Sequence, residues 1–154
     1  MKRFWRARMV GPIRAISPMS GAEILVDYQA DAMIGPDLDR ELVRLPGTLA
    51  WWLALRDTAE TAYKEARHHE HNVEEDIYAE LRSAPVEKRR LAETEIKMRV
   101  KQDARMRSAY KARMAAGEML RNLRSAVEAL EVKRWSLISL AKYRNMERVI
   151  PDSV

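Results

Sequence analysis

The three histidines of the chain stand together, as His68-His69-Glu70-His71. On a helix, His68 and His71 share one face a turn apart, and two imidazoles so placed are half of a tetrahedral metal site. The other half would come from a second helix carrying carboxylates in an E-x-x-H pattern, and no histidine exists elsewhere to make one. The chain also has no cysteine, which removes thiolate ligands, thiol nucleophiles and disulfides. A solvated helical face is therefore the expectation for His68 and His71, with no metal and no cofactor. His69 falls on an apolar stripe, where a hydrogen-bonded core histidine is expected ahead of a pH-sensitive interface residue. No phosphate-binding G-x-x-x-x-G-K-[ST] loop, G-x-S-x-G elbow or G-x-G-x-x-G fingerprint occurs. Carboxylates are abundant, but none is singled out as half of a catalytic pair, so no catalytic residue is assigned and the chain does not read as an enzyme.

Binding chemistry has more support. The net charge is only +5, yet residues 85–124 hold twelve Lys and Arg against five Asp and Glu, while residues 48–84 are net acidic. Lys97, Lys101 and Arg105 recur at i, i+4 and i+8, Lys88-Arg89-Arg90 lie just upstream, and Arg82 precedes them. A cationic stripe of this kind tracks phosphates by neutralising them, and the same residues also serve to keep a lone helix in solution. Near the start, Lys2, Arg3, Arg6 and Arg8 are interleaved with Phe4 and Trp5, a combination that offers charge to a single strand's backbone and ring faces to its bases. The bland reading of that segment is an edge strand or a disordered tail.

The elements that must carry these groups are mostly helices. Leu, Ala, Glu, Lys, Arg and Met dominate the 154 residues, and only five are glycine. Four of the six prolines and four of the glycines precede residue 48, so residues 1–47 read as an irregular arm. Within it, the alternation of Trp5, Ala7 and Met9 and the run AEILVDY allow one or two short strands, and PDLDRELVRLP predicts a short helix near 36–45. With Thr48 as its N-cap, a helix is expected over about 48–82, its stripe running through Trp52, Leu55, Ala59, Ala62, Ala66, His69, Val73, Ile77 and Leu81. Ser83-Ala84-Pro85 marks a turn, and a second helix is expected over about 86–148. Together they make a long helical hairpin, with Gly117 as a bend or a close contact.

The second helix carries a seam, Leu120, Leu123, Val127, Leu130, Arg134, Leu137 and Ala141, at heptad-like steps. Residues 128–148 (EALEVKRWSLISLAKYRNMER) admit three uses: an amphipathic membrane contact, a nucleic-acid grip, or a helix packed on other helices. The last fits best, with Leu130, Trp135, Leu137, Ile138 and Leu140 on the buried side and Arg134 and Arg144 pairing with a neighbouring chain's carboxylates. A hairpin leaves much of each apolar face wet, so a homo-oligomer is expected through Leu120, Leu123, Val127, Leu130, Arg134, Trp135, Leu137 and Ile138. No run approaches the roughly 20 apolar residues of a membrane span, so no membrane partner is expected. The first residues lack the apolar core of a secretory signal, and an intracellular location is the default.

Two stretches carry a family resemblance. IGPDLDRELVRLPGTLAWW, through Ile34, Leu38, Glu41, Pro46, Leu49 and Trp52, resembles the lead-in to the long helix of the UvsY-type recombination mediators of tailed bacteriophages. SAYKARMAAGEMLRNLRSAVEALEVKRWSLISLAKYRNME is similar to that family's final helix, with Lys133-Arg134-Trp135 and Leu137-Ile138 at its basic-aromatic step and aliphatic pair. The resemblance covers roughly residues 34–148. It implies a non-enzymatic protein of the host-cell cytoplasm that assembles into a ring, holds single-stranded DNA and helps load a RecA-like recombinase where a single-strand-binding protein already sits. The family's basic pair late in the first long helix is replaced here by Val73-Glu74-Glu75-Asp76-Ile77-Tyr78. DNA contacts are therefore expected at Arg82, Lys88, Arg89, Arg90, Lys97, Lys101 and Arg105, helped by Arg6 and Arg8 of the arm. The rival expectation is a helical structural or assembly protein without nucleic-acid binding; a metalloenzyme built on His68 and His71 ranks below both.

Overall fold

The computed structural model describes residues 11–83 and 92–149. The chain is mostly helical, with long helices and a short two-stranded sheet near its start, as the composition requires. It divides into two compact units, one of residues 1–58 and 121–154 and one of residues 59–120.

In the first unit, β1 (Ile13–Ile16) pairs antiparallel with β2 (Glu23–Val26), Ile13 opposite Val26 and Ile16 opposite Glu23. β2 lies in the AEILVDY run; β1 escaped the sequence reading, and the alternating Trp5–Met9 segment lies outside the described residues. Period-two alternation decides the orientation of β1: Ile13 and Ala15 are buried, while Arg14 faces outward and pairs with Glu23 at 3.6 Å. The connection is closed by Ser17, whose N–H donates to Ala22 O at 2.8 Å and whose hydroxyl accepts from the N–H groups of Met19 and Ser20. Gly21 takes φ +68° there, a left-handed turn position that favours glycine. A five-residue helix α1 (Tyr28–Ala32) follows, its N-cap Asp27 accepting from Gln29 N at 3.0 Å.

Helix α2 (Leu38–Ser83) corrects the sequence reading. A short helix near 36–45 and a new start at Thr48 were expected; instead one helix runs through Pro46. Asp37 caps it, accepting from Arg40 N at 3.1 Å, and Thr48 Oγ1 donates to Arg44 O at 3.2 Å as an interior residue does. The physical reason is phase. Leu45, Leu49, Trp52, Leu55 and Ala59 are all buried and succeed one another by four, three, three and four residues. A break at Pro46 would put Leu45 out of step with that stripe, which outweighs the ~3 kcal/mol a proline costs inside a helix.

The other long helix of this unit is α4 (Ala104–Val149), whose Leu123, Ala126, Val127, Leu130 and Leu137 are buried. Polar groups join three helices. Lys133 Nζ donates to Asp31 O at 2.7 Å and pairs with Glu41 Oε2 at 2.5 Å, while Trp52 Nε1 donates to Asp31 Oδ2 at 3.0 Å. The Tyr28 ring meets Trp52 edge-on, centroids 6.5 Å apart.

In the second unit the expected continuous helix over 86–148 is replaced by α3 (Glu93–Gln102) and α4, separated at Asp103; residues 84–91 lie outside the described residues. Asp103 is extended (φ −63°, ψ 137°) and caps α4, its Oδ1 accepting from Arg105 N at 2.7 Å. Here too phase explains the difference. Val100 and Ala109 are both buried, yet nine residues of unbroken helix, about 2.5 turns, would set them on opposite faces. One extended residue resets the phase, and Ile96 and Val100 join Ile77, Val73, Tyr78, Leu81 and Met106 in one cluster. The contact of Tyr63 with Gly117 and the ion pairs Glu70–Arg113 and Glu80–Arg105 show α2 and α4 running antiparallel in this unit. Gly117 is a close contact: a Cβ there would lie 3.3 Å from Tyr63 Cε2.

Candidate nucleic-acid and self-association surfaces

The expected cationic stripe is only partly open to an anion. Arg105 holds Glu80 with two parallel bonds, Nη1 to Oε1 at 2.8 Å and Nη2 to Oε2 at 2.6 Å, and its Nη2 also reaches Asp103 at 3.2 Å. These bonds hold the guanidinium well above its ordinary value, and they lower the carboxyls of Glu80 and Asp103. Lys97 lies 3.7 Å from Glu93, whose carboxyl is lowered first by the hydroxyl of Tyr78, donating at 2.6 Å, and then by Lys97. That hydrogen bond in turn raises the phenol of Tyr78. Arg82 and Lys101 are exposed. Lys88, Arg89, Arg90, Arg6 and Arg8 lie outside the described residues. The sequence missed this pairing because Arg105 and Glu80 are 25 residues apart and only the fold makes them neighbours.

The histidine segment is a surface. His68, His69 and His71 are all exposed, so His69 is not the core residue its position on the stripe suggested. The inward place is taken by Glu70, which pairs with Arg113 of α4. A carboxylate with an arginine opposite outcompetes an imidazole with no buried partner. Lys64, Arg67, His68, Glu70, His71 and Glu74 line a shallow groove of about 540 Å³, in which Lys64 pairs with Glu60 at 3.1 Å and His71 with Glu75 at 3.3 Å. Among the described residues no three acidic or histidine side chains converge as metal ligands would.

The expected oligomerisation residues divide in two. Leu120, Leu123, Val127, Leu130 and Leu137 are buried within the chain itself. Arg134 is exposed beside Glu131, at 3.5 Å, and the seam position belongs to its neighbour Lys133, 7% exposed. The choice between the two falls to Lys133 because Glu41 and the Asp31 carbonyl stand opposite it. Arg144 pairs with Asp39 of the same chain at 3.1 Å. Ile138 is half-buried, whereas Trp135 is 64% and Leu140 47% exposed on the protomer, so these two are not covered by the chain's own core. With Val132, Ser136, Ser139 and Tyr143 these two line a groove of about 510 Å³ on the outer face of α4. Among the described residues no helix is long and apolar enough to cross a membrane. Compared with protein-family models, with curated proteins and with solved structures, the chain matches none.

Proposed function

We propose that this chain is a non-enzymatic recombination mediator: a homo-oligomer, arranged as a ring, that binds single-stranded DNA and helps load a RecA-like recombinase in the presence of a single-strand-binding protein. One observation supports the reading above others. The two stretches that carry the family resemblance meet in one buried network, in which Glu41 and Trp52 of the lead-in are tied to Lys133 of the final helix through a direct ion pair and through Asp31. Residues matched separately along the sequence thus depend on one another in space, as the parts of a shared architecture do. The work would be done by binding: DNA held in a bent or wrapped form weakens the competing protein's grip and favours recombinase nucleation.

A second reading, an assembly protein without nucleic-acid affinity, is favoured by the carboxylates that already neutralise Lys97 and Arg105. The two are separated by fluorescence anisotropy with matched single- and double-stranded oligonucleotides across a salt series. The mediator prefers single strands, and its affinity falls steeply with salt; contact with six phosphates of a single strand gives a log–log slope of about −4. Absence of binding at physiological salt by a well-formed oligomer leaves the assembly protein.

A further inference from the structure

The outer face of α4 carries a pattern that reads alike in both directions. Along VKRWSLISLAKY, Val132 and Tyr143, Trp135 and Leu140, and Ser136 and Ser139 are placed symmetrically about the midpoint between Leu137 and Ile138. These six residues are the ones that line the groove. The two inner positions are small and the outer ones bulky, so the face is a shallow trough with shoulders.

We propose that this face binds the same face of a second copy, antiparallel and about a two-fold axis through that midpoint. In this arrangement Trp135 of one copy comes level with Leu140 of the other, Val132 with Tyr143, and Ser136 with Ser139. Each bulky Trp135 and Leu140 then has a serine of the other copy beside it, which lets the backbones approach closely. Met146, also exposed, comes level with the small Ala129. A parallel pairing would instead stack Trp135 on Trp135 and Tyr143 on Tyr143, setting the bulkiest side chains against each other. The area suffices: Val132 is 66%, Tyr143 67% and Met146 65% exposed. Together with Trp135 and Leu140 they offer on the order of 600 Å² per copy, which reaches the lower bound for a specific pair. The contact is isologous and closes on itself; if other surfaces form a ring, it joins two rings face to face. It does not depend on DNA binding, and its test contains no DNA.

The chain has no cysteine, so introduced thiols report cleanly. Val132→Cys and Tyr143→Cys proteins are mixed, oxidised and analysed for cross-links, and oligomeric mass is measured by light scattering for the parent and for Trp135→Glu. The expected result is a disulfide between the two variants and none within Val132→Cys alone, because antiparallel pairing separates the two copies of position 132 by 11 residues, ~16 Å of helix. Trp135→Glu is expected to halve the oligomeric mass with helix content unchanged. Cross-linking of Val132→Cys to itself, a monomeric parent protein, or a Trp135→Glu mass equal to the parent's would each overturn the proposal. If Trp135→Glu loses helix content, the cross-linking pattern decides alone.

Discussion

Lys133 and Arg105 are both cations bound to glutamates, yet they belong to different energetic regimes. Lys133 is almost fully buried, and its ammonium is satisfied by the Glu41 carboxylate and the Asp31 carbonyl. Lys133→Ala would strand Glu41, itself largely out of water, and should cost on the order of 3 kcal/mol in denaturant unfolding. The double replacement Lys133→Met with Glu41→Leu should recover most of that loss, since an apolar pair of similar volume needs no compensation for buried charge. A double variant as unstable as the single one would show that the network is held by something other than this pair. Arg105 lies at the surface, where screening reduces what its bonds to Glu80 and Asp103 are worth. Both carboxyls are lowered in the folded protein, so the stabilisation they bring is present above roughly pH 4.5 and fades as pH falls through their lower folded values. Arg105→Ala should therefore lower the melting temperature at pH 7 by more than at pH 3. It should also change DNA affinity little beside Lys101→Ala, because Arg105 already spends its donors within the chain.

Among the elements, α2 shows how tertiary burial overrides local preference. Pro46 lacks an N–H for the helix ladder and crowds the carbonyl one turn back, but the flanking Leu45 and Leu49 are held in one phase by burial. Pro46→Ala should leave helix content essentially unchanged and raise stability by about 1–3 kcal/mol. Loss of stability on this change would mean that the proline shapes a bend on which the buried stripe depends. At the junction of α3 and α4 the converse holds. Asp103 is extended so that Val100 and Ala109 are both buried, and its side chain supplies the cap that a new helix start needs. Asp103→Leu should destabilise the cluster of Ile77, Ile96 and Val100, seen as faster amide exchange in α3 with little change in α1 or the β-hairpin.

At the scale of the whole molecule, burial has divided the apolar residues of α4 between two uses. One set, including Leu123, Leu130 and Leu137, is consumed by the chain's own core; the other, from Val132 to Met146, is left outside. Substitutions in the two sets should separate cleanly. Leu130→Ala should lower stability by roughly 2–5 kcal/mol, the range for a fully buried leucine. Tyr143→Ser should leave melting of the protomer within about 0.5 kcal/mol of the parent while weakening self-association. Equal effects of both on melting at low protein concentration would mean that the outer face is structural.

The sequence by itself determined the helical class, the placement of β2 in AEILVDY and, on the stripe from Trp52 to Leu81, the burial of Trp52, Leu55, Ala59 and Ile77. All of these follow from local propensity or from a period that repeats within one element. Tertiary structure decided the rest. It carried a helix through Pro46, broke another at Asp103, chose Glu70 over His69 and Lys133 over Arg134, and turned Trp135 outward. Each of these choices depends on a group tens of residues away, such as Arg113 for Glu70 or Glu41 for Lys133. Positions one residue apart on a helix lie only about 100° apart. Periodicity leaves the choice between two such neighbours open, and the partner across the interface settles it.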